Sequence, residues 1–251
     1  MSRPWSMFSL VLVLSLSLAG FVRAEEKDKK EAPKPAGNSA TTPAPRDKNW
    51  MKRHDLINER VKATKDSQLL MIGDSITQGW EGNGKDVWAK HYAPRKALNL
   101  GIGGDRTQHV LWRLENGNID GVNPKAAVIM IGTNNSNRDD NTAEEIAEGI
   151  TAIVKKLRLR LPGTKVLVLA VFPRGEKPNP QREKIAKVNE IVSKLADDKD
   201  IFYMDIGPKF LATGDMLPKD IMPDFLHLSP KGYQIWADAI EGKLKELLGE
   251  K

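Results

Sequence analysis

The sequence predicts an α/β fold built on a five-stranded parallel sheet. Short apolar segments alternate with helical patterns along the chain, and this alternation is typical of βαβ units with right-handed crossovers. The third and fourth segments are almost wholly apolar, as expected of strands that helices cover on both faces. The five expected strands are residues 69–72, 97–100, 126–131, 166–171 and 201–204.

Helical patterns lie between and after these strands. The expected helices are residues 107–115, 142–161, 182–196 and 230–248. Ser229 as a capping residue and Pro230 in the first turn mark the start of the last helix. An opening helix is also expected, with one side formed by Trp50, Met51, Leu56, Ile57 and Val61.

The N-terminal part of the chain is expected to lie outside the folded domain. Residues 1–24 are typical of a secretory signal peptide, because Arg3 precedes an apolar stretch and Val22 and Ala24 offer small residues for cleavage. The apolar stretch, about 16 residues, is short for a membrane span of roughly 20, so cleavage is favoured over an uncleaved anchor. Residues 25–47 are charged and then rich in proline and alanine, which predicts a disordered tether before a domain over residues 48–251.

Composition limits the classes of partner. The chain has 251 residues, 40% of them hydrophobic and 29% charged, which is typical of a soluble globular protein. The net charge is +6, but lysines and arginines are scattered among acidic residues without interleaved aromatics, so nucleic-acid binding is not expected. The chain contains no cysteine, which excludes disulfides and a lipid-modified cysteine.

Polar segments directly follow several of the expected strands. In a parallel sheet, ligands bind beyond the carboxyl ends of the strands, so these segments are expected to meet there. They are Gly73-Asp74-Ser75, Gly101-Ile102-Gly103-Gly104-Asp105 and Gly132-Thr133-Asn134-Asn135, with Asp224-Phe225-Leu226-His227 in a loop before the last helix.

Three of these residues have the chemistry needed for acyl transfer. A serine hydroxyl is a poor nucleophile until a neutral imidazole takes its proton, and a carboxylate orients that imidazole. Ser75 is the expected nucleophile, His227 the base and Asp224 the orienting carboxylate. The segment around Ser75 does not match the G-x-S-x-G nucleophile elbow of α/β-hydrolases.

Three donors are expected to stabilise the oxyanion of a tetrahedral intermediate. They are the backbone N–H of Ser75, the backbone N–H of Gly104 and the side-chain amide of Asn134. The alternatives are a tight turn or a phosphate cradle at Gly104 and a plain turn at Asn134, but the glycine segment matches neither G-x-G-x-x-G nor a P-loop.

The remaining histidines are assigned to packing or to the surface. His54 and His91 lack a carboxylate arranged as Asp224 is, and His109 is expected to be structural. A metal site is not expected, because cysteines are absent and no H-E-x-x-H pair occurs.

The chain resembles the SGNH (GDSL-type) hydrolase superfamily, and within it most closely the catalytic subunits of brain-type intracellular platelet-activating-factor acetylhydrolase. The resemblance runs from about Trp50 to the C-terminus and covers the four family blocks, matched by Ser75, Gly104, Asn134 and the pair Asp224 and His227. Further matching segments are residues 107–117, Pro173-Arg174-Gly175, Pro178-Asn179-Pro180 and Leu226-His227-Leu228-Ser229.

The resemblance implies a flavodoxin-like three-layer α/β/α sandwich and a serine carboxylic-ester hydrolase without a cofactor. Ile76, Thr133 and Leu226 fall on positions that select small acyl groups in the resembled subunits, which implies an acetyl pocket. Those subunits form dimers, so a homodimer is conceivable.

The leader departs from the resembled subunits, which are cytosolic. It favours a bacterial, periplasmic or secreted esterase with no membrane span once the leader is cleaved. The substrate could then be an acetylated glycan or an acetyl phospholipid. The alternatives are a lysophospholipase or thioesterase of the same fold and a non-catalytic glycan-binding module.

Overall fold

The protein was analysed as a computed structural model, which describes residue 1, residues 37–138 and residues 140–250. Nearly all of the predicted leader and the first part of the predicted tether, residues 2–36, lie outside the described residues. Among the helices of the described part, none is both long and apolar enough to cross a membrane.

The predicted five-stranded parallel sheet is confirmed. Its strands occur in the order β2-β1-β3-β4-β5, which is the flavodoxin-like order. From β1 the chain adds β2 on one side and then β3 to β5 on the other, so the topological switch point lies between β1 and β3. All four neighbouring pairs are parallel. The strands are β1 (Leu69–Gly73), β2 (Ala97–Gly101), β3 (Ala126–Met130), β4 (Lys165–Leu169) and β5 (Ile201–Met204).

The register of the three strands on one side of the sheet brings their carboxyl ends level. Gly73 at the end of β1 pairs with Gly101 of β2 on one side and with Met130 of β3 on the other. The polar segments after these strands therefore leave the sheet at the same edge, as the sequence predicts.

Helices connect the strands and cover the sheet. The α-helices of the described residues are α1 (Lys48–Ala63), α2 (Ser75–Gln78), α3 (Lys85–His91), α4 (Thr107–Glu115), α5 (Ala143–Arg160), α6 (Pro180–Ser193) and α7 (Pro230–Leu248). The predictions for α4 and α7 agree with these bounds, and those for α5 and α6 differ by one to three residues at each end.

Two apolar cores lie on opposite faces of the sheet. Successive side chains of a strand point to opposite faces, so Leu70 and Ile72 of β1 enter one core while Leu69 and Met71 enter the other. Helices α1, α4, α5 and α6 contribute to the first core, and α3 and α7 contribute to the second. This arrangement is the three-layer sandwich that the resemblance implies.

The final part of the predicted tether is folded, which corrects the prediction for residues 37–47. A short 3₁₀-helix over Ser39–Thr41 packs against α4 and α5, and Ala40 is fully buried. The Thr107 hydroxyl donates to the Ala40 carbonyl at 2.8 Å. The segment fits because Gly149 of α5 has no side chain: a Cβ there would lie 2.8 Å from the Ala40 oxygen. Asp47 then caps α1 by accepting from the N–H of Asn49.

Candidate active site

Ser75 is the first residue of the short helix α2, directly beyond the end of β1. The Asp74 side chain caps this helix by accepting a hydrogen bond from the Ile76 N–H at 2.9 Å. From the opposite side, the Tyr233 hydroxyl of α7 donates to the Ile76 carbonyl at 2.6 Å. These two contacts fix the backbone of the turn, and Ser75 itself is half-buried.

The loop before α7 carries the candidate base. Ser229 caps α7 by accepting from the Gly232 N–H at 3.1 Å, and its hydroxyl donates to the Asp220 carbonyl at 2.6 Å. Phe225 has a φ of +59°, a left-handed conformation that is uncommon for a non-glycine residue. Its carbonyl accepts from the Gly175 N–H at 2.8 Å, so the loop between β4 and α6 holds this turn in place.

The structure brings the three predicted catalytic side chains into one hydrogen-bonded chain. Ser75 Oγ lies 2.9 Å from His227 Nε2, and His227 Nδ1 lies 2.6 Å from Asp224 Oδ2. A carboxylate beside Nδ1 favours the tautomer with its proton on that nitrogen. Nε2 is then free to accept the serine proton.

The carboxyl group of Asp224 remains ionised at neutral pH. Partial burial alone would raise its pKa, but the ring N–H of His227 and the backbone N–H groups of His227 and Leu226 outweigh that effect. The net pKa of Asp224 is therefore below that of an ordinary aspartate. The backbone bonds to Asp224 Oδ1 are 2.7 Å from His227 and 3.1 Å from Leu226.

The predicted oxyanion donors belong to the segments that follow β1, β2 and β3, which are neighbours in the sheet. Gly104 has a φ of +75° and is exposed. The amide of Asn134 donates to the Asp105 carbonyl at 2.9 Å, which ties the loop after β3 to the loop after β2. Within the described part of the chain, the backbone N–H groups of Ser75 and Gly104 donate no hydrogen bond to protein. Two unpaired donors beside a serine hydroxyl can stabilise a developing oxyanion.

The loop after β2 is held close to α2 by small residues and by one glutamine. A Cβ at Gly101 would lie 2.2 Å from the Gln78 backbone nitrogen, so only glycine permits this approach. The Gln78 side chain accepts from the Gly103 N–H at 2.7 Å. Gly103 in turn lies against the Cβ of Ser75, 3.8 Å from the position that its own Cβ would take.

A buried ion pair also supports the loop after β2. The side chains of Asp105 and Arg113 are both fully buried and lie 2.8 Å apart. The Trp50 indole N–H also donates to Asp105 at 2.6 Å, and Arg113 reaches the Gly73 carbonyl at 3.3 Å. Arg113 thereby connects the loops after β1 and β2, a role that sequence patterns did not indicate.

Asp74 is a second buried carboxyl group beside the nucleophile. Burial, with a smaller contribution from the nearby Asp105, raises its pKa to about 7. One oxygen caps α2, whereas Oδ2 has no hydrogen-bond partner among the described residues. The acid therefore keeps its proton well above the pH at which an exposed aspartate loses it.

The three residues predicted to select the acyl group are mostly buried. Ile76 belongs to the second core, and Leu226 packs against that core at its edge. Thr133 is 2% exposed, and Arg174 donates to its carbonyl at 3.1 Å and to its hydroxyl at 3.3 Å. Arg174 is an additional residue of the site. Its segment, Pro173-Arg174-Gly175, is part of the resemblance, but the sequence indicated no role for Arg174.

The other histidines have structural contacts. His54 is 2% exposed and stacks on Trp50, with ring centroids 5.6 Å apart. His109 Nδ1 accepts from the Arg106 N–H at 3.0 Å and so caps α4. Within the residues that the structure describes, no cluster of three or more histidine and acidic side chains could hold a metal ion.

Comparison with known proteins gives a consistent family. Residues 71–235 match the profile of the GDSL-like Lipase/Acylhydrolase family. The chain belongs to this family. Platelet-activating factor acetylhydrolase IB subunit alpha2 of Rattus norvegicus is 41% identical to this acylhydrolase over 208 residues, covering 81% of the chain and 87% of the relative. Subunit alpha1 of Homo sapiens is 39% identical over 219 residues, covering 85% and 92%.

Solved structures share the fold of this acylhydrolase. A putative platelet activating factor from Streptococcus pneumonia covers 78% of this chain and 95% of its own, with 24% identity and a TM-score of 0.63. A catalytic mutant of Axe2, an acetylxylan esterase from Geobacillus stearothermophilus, covers 73% and 94%, with 20% identity and a TM-score of 0.57. The family and its curated relatives make this protein an esterase of the acylhydrolase type.

Proposed function

We propose that this esterase hydrolyses short-chain esters, acetyl esters above all, with Ser75 as nucleophile, His227 as base and Asp224 as orienting carboxylate. The observation that carries the proposal is the 2.9 Å separation of Ser75 Oγ and His227 Nε2, continued by the 2.6 Å contact of His227 with Asp224. Both distances lie within hydrogen-bond range, as proton transfer requires.

The reaction proceeds through acylation and then deacylation of Ser75. Ser75 Oγ attacks the ester carbonyl while His227 Nε2 takes the serine proton, and the carbonyl oxygen becomes an oxyanion held by the Ser75 N–H, the Gly104 N–H and the Asn134 amide. The oxyanion collapses, His227 returns the proton to the departing alcohol, and an acyl-serine remains. His227 then takes a proton from water as the water oxygen attacks the acyl-serine carbonyl, and when this second oxyanion collapses the acid is released and His227 returns the proton to Ser75 Oγ.

The preference for an acetyl group rests on the surroundings of the nucleophile and on the relatives. Ile76 and Thr133 are almost completely buried, so little space is open beside the serine on their side. The curated relatives are named acetylhydrolases. A chain-length series of 4-nitrophenyl esters tests this preference: we expect kcat/KM to fall steeply beyond acetate, and a maximum at long chains would favour a lysophospholipase.

The location and the alcohol half of the substrate are part of the same proposal. The N-terminal leader supports a periplasmic or secreted enzyme, which would encounter acetylated glycans as well as acetyl phospholipids. Acetate release from a panel of both classes separates the two substrates. N-terminal sequencing of the exported protein tests the leader, since cleavage is expected after Ala24.

The Ser75→Ala variant tests the nucleophile. Turnover of a chromogenic acetate ester should vanish in it, whereas Ser193→Ala, a change at a serine near the end of α6, should leave the rate as it is. Turnover at the wild-type rate in Ser75→Ala would overturn the proposal.

A further inference from the structure

Arg46 lies directly against the loop that carries the Gly104 oxyanion donor. Its Nη1 donates to the Gly103 carbonyl at 2.8 Å. A Cβ built on Gly104 would lie 2.9 Å from that Nη1 and 3.3 Å from Nη2, so the guanidinium covers this glycine. Gly103 is itself in contact with Ser75. One residue therefore separates the positive charge of Arg46 from the nucleophile.

The guanidinium of Arg46 retains donors for a ligand. Only Nη1 makes a hydrogen bond within the described part of the chain, and Nε and Nη2 make none. The side chain is 30% exposed, which leaves those donors accessible to solvent. The nearest carboxylates, of Asp47 and Asp105, are each 3.9 Å away, beyond hydrogen-bond distance.

Of the two carboxylates near Arg46, that of Asp105 is compensated by other groups. Asp105 already accepts hydrogen bonds from Arg113 and from Trp50, so its charge is compensated without Arg46. Burial, together with the nearby charges of Arg46, Arg106 and Arg113, lowers the pKa of His109 to about 4. The charge of Arg46 therefore acts on His109, whose Nδ1 lies 3.9 Å from Asp105 Oδ1.

An open groove of about 300 Å³ lies beside Arg46. Asp47, Arg53, Gln78 and Gly103 also line it. Arg53 is already paired with both oxygens of Glu81, at 2.8 and 2.7 Å, so Arg46 is the arginine with free donors here. The groove is large enough for a phosphate or carboxylate together with part of the group that bears it.

The order of the strands indicates which half of an ester would lie in this groove. Gly104 follows β2, which is the edge strand, whereas Thr133 follows β3 on the other side of β1. Arg46 is therefore on the far side of the nucleophile from the acyl-selecting Thr133. Because the proposed function places the acyl group beside Thr133, we assign the side of Arg46 to the alcohol half.

We propose that Arg46 and this groove form a subsite for an anionic group, a phosphate or a carboxylate, on the alcohol half of the ester. The inference rests on the proposed function and narrows its substrate class to esters of anionic alcohols. Arginine suits the role because its planar donors match the oxygens of both anions.

Pairs of acetate esters with the same ring test the subsite. 4-Acetoxybenzoate is compared with its neutral methyl ester, and 4-acetoxyphenyl phosphate with 4-methoxyphenyl acetate. For each ester, kcat/KM is measured for wild type, Arg46→Gln, Arg46→Lys and the control Lys48→Gln. Lys48 is exposed, lies two residues from Arg46 and does not line the groove, so Lys48→Gln removes the same charge outside the proposed subsite. Ratios of variant to wild type cancel the intrinsic reactivity of each ester.

We expect Arg46→Gln to lower kcat/KM for the anionic esters about 10- to 100-fold, mainly through KM, and to change the neutral esters less than about twofold. Arg46→Lys should restore part of the difference, Lys48→Gln should produce none, and added salt should reduce it. A loss at only one anion identifies the anion that the subsite accepts.

Equal losses for charged and neutral esters would overturn the inference, because Arg46 would then only support the Gly103 carbonyl. No loss for either would overturn it as well. Absence of wild-type activity on all four esters would instead contradict the proposed function, so the two failures are distinguishable.

Discussion

The side-chain amide of Asn134 donates to the Asp105 carbonyl at 2.9 Å, and this bond joins the loops that follow β3 and β2. One N–H of the amide is used in this contact, and it orients the group so that the second N–H can face the reacting carbonyl. Asp105 is itself held by hydrogen bonds from Arg113 and Trp50, so these buried side chains also help to orient the Asn134 amide.

Replacing Asn134 with alanine should therefore remove one oxyanion donor without unfolding the protein. We expect kcat on an acetate ester to fall about 10²–10³-fold while KM changes little, since the donor acts mainly in the transition state. Steady-state kinetics measures this loss. The exposed Asn123 is the matched control for its alanine variant. A reduction of less than tenfold would point to a different set of donors.

Replacing Asp224 with asparagine should leave the loop in place and impair the base. The Asn Oδ1 can still accept from the N–H groups of His227 and Leu226, but its NH₂ cannot accept the proton on His227 Nδ1. We expect kcat to fall about 10²–10⁴-fold, because the imidazole no longer holds the required tautomer. The neighbouring exposed Asp220, changed to asparagine, serves as control. Near-normal kcat in Asp224→Asn would argue that Asp224 is not the orienting group.

The buried Asp74 predicts a dependence of stability on pH. Its pKa is about 7 in the folded protein against 3.8 for the ordinary group, so above pH 4 the unfolded chain releases a proton that the folded chain retains. The protonated Asp74 therefore contributes fully to the free energy of unfolding below pH 4. This contribution, up to about 4 kcal/mol, is lost progressively as the pH rises to about 7.

The Asp74→Asn variant isolates this contribution, since asparagine can still cap α2 but cannot ionise. Urea unfolding is measured at pH 4.5 and pH 8 for both proteins. We expect wild type to lose about 3 kcal/mol more than the variant between these values. Equal changes in both proteins would show that Asp74 ionises normally.

The buried pair of Arg113 and Asp105 should be costly to break. Arg113→Met leaves the Asp105 carboxylate without its charge partner in the core, and we expect the free energy of unfolding to fall by about 3–5 kcal/mol. Arg60, which pairs with Glu81 near the surface, is the matched control, and its methionine variant should lose less than about 1 kcal/mol. Denaturant unfolding compares the two, and similar losses would contradict the account.

The sequence was sufficient to predict the strands because each is short, apolar and followed by a polar segment. The prediction for β5 has the observed bounds, and those for the other strands differ by one or two residues. The carboxyl-end rule also predicted the meeting of Ser75 and His227, which are 152 positions apart in the chain.

Features that depend on packing could not be predicted. Residues 37–47 have no apolar period, yet the Ala40 carbonyl lies against the space left by Gly149 and accepts from Thr107. In α1, Leu56 was assigned to the packed side but is 40% exposed, whereas His54 is buried and stacks on Trp50. A search for hydrophobic periodicity does not predict that a histidine will be buried against aromatic side chains.

The most direct test of the central claim is the site at which a fluorophosphonate probe attaches, determined by intact mass and peptide mapping. We predict one adduct per chain, on Ser75, in wild type, and strongly reduced labelling in His227→Ala because the hydroxyl then lacks its base. An adduct on another residue, or labelling of His227→Ala at the wild-type rate, would contradict the assignment of Ser75 and His227 as nucleophile and base.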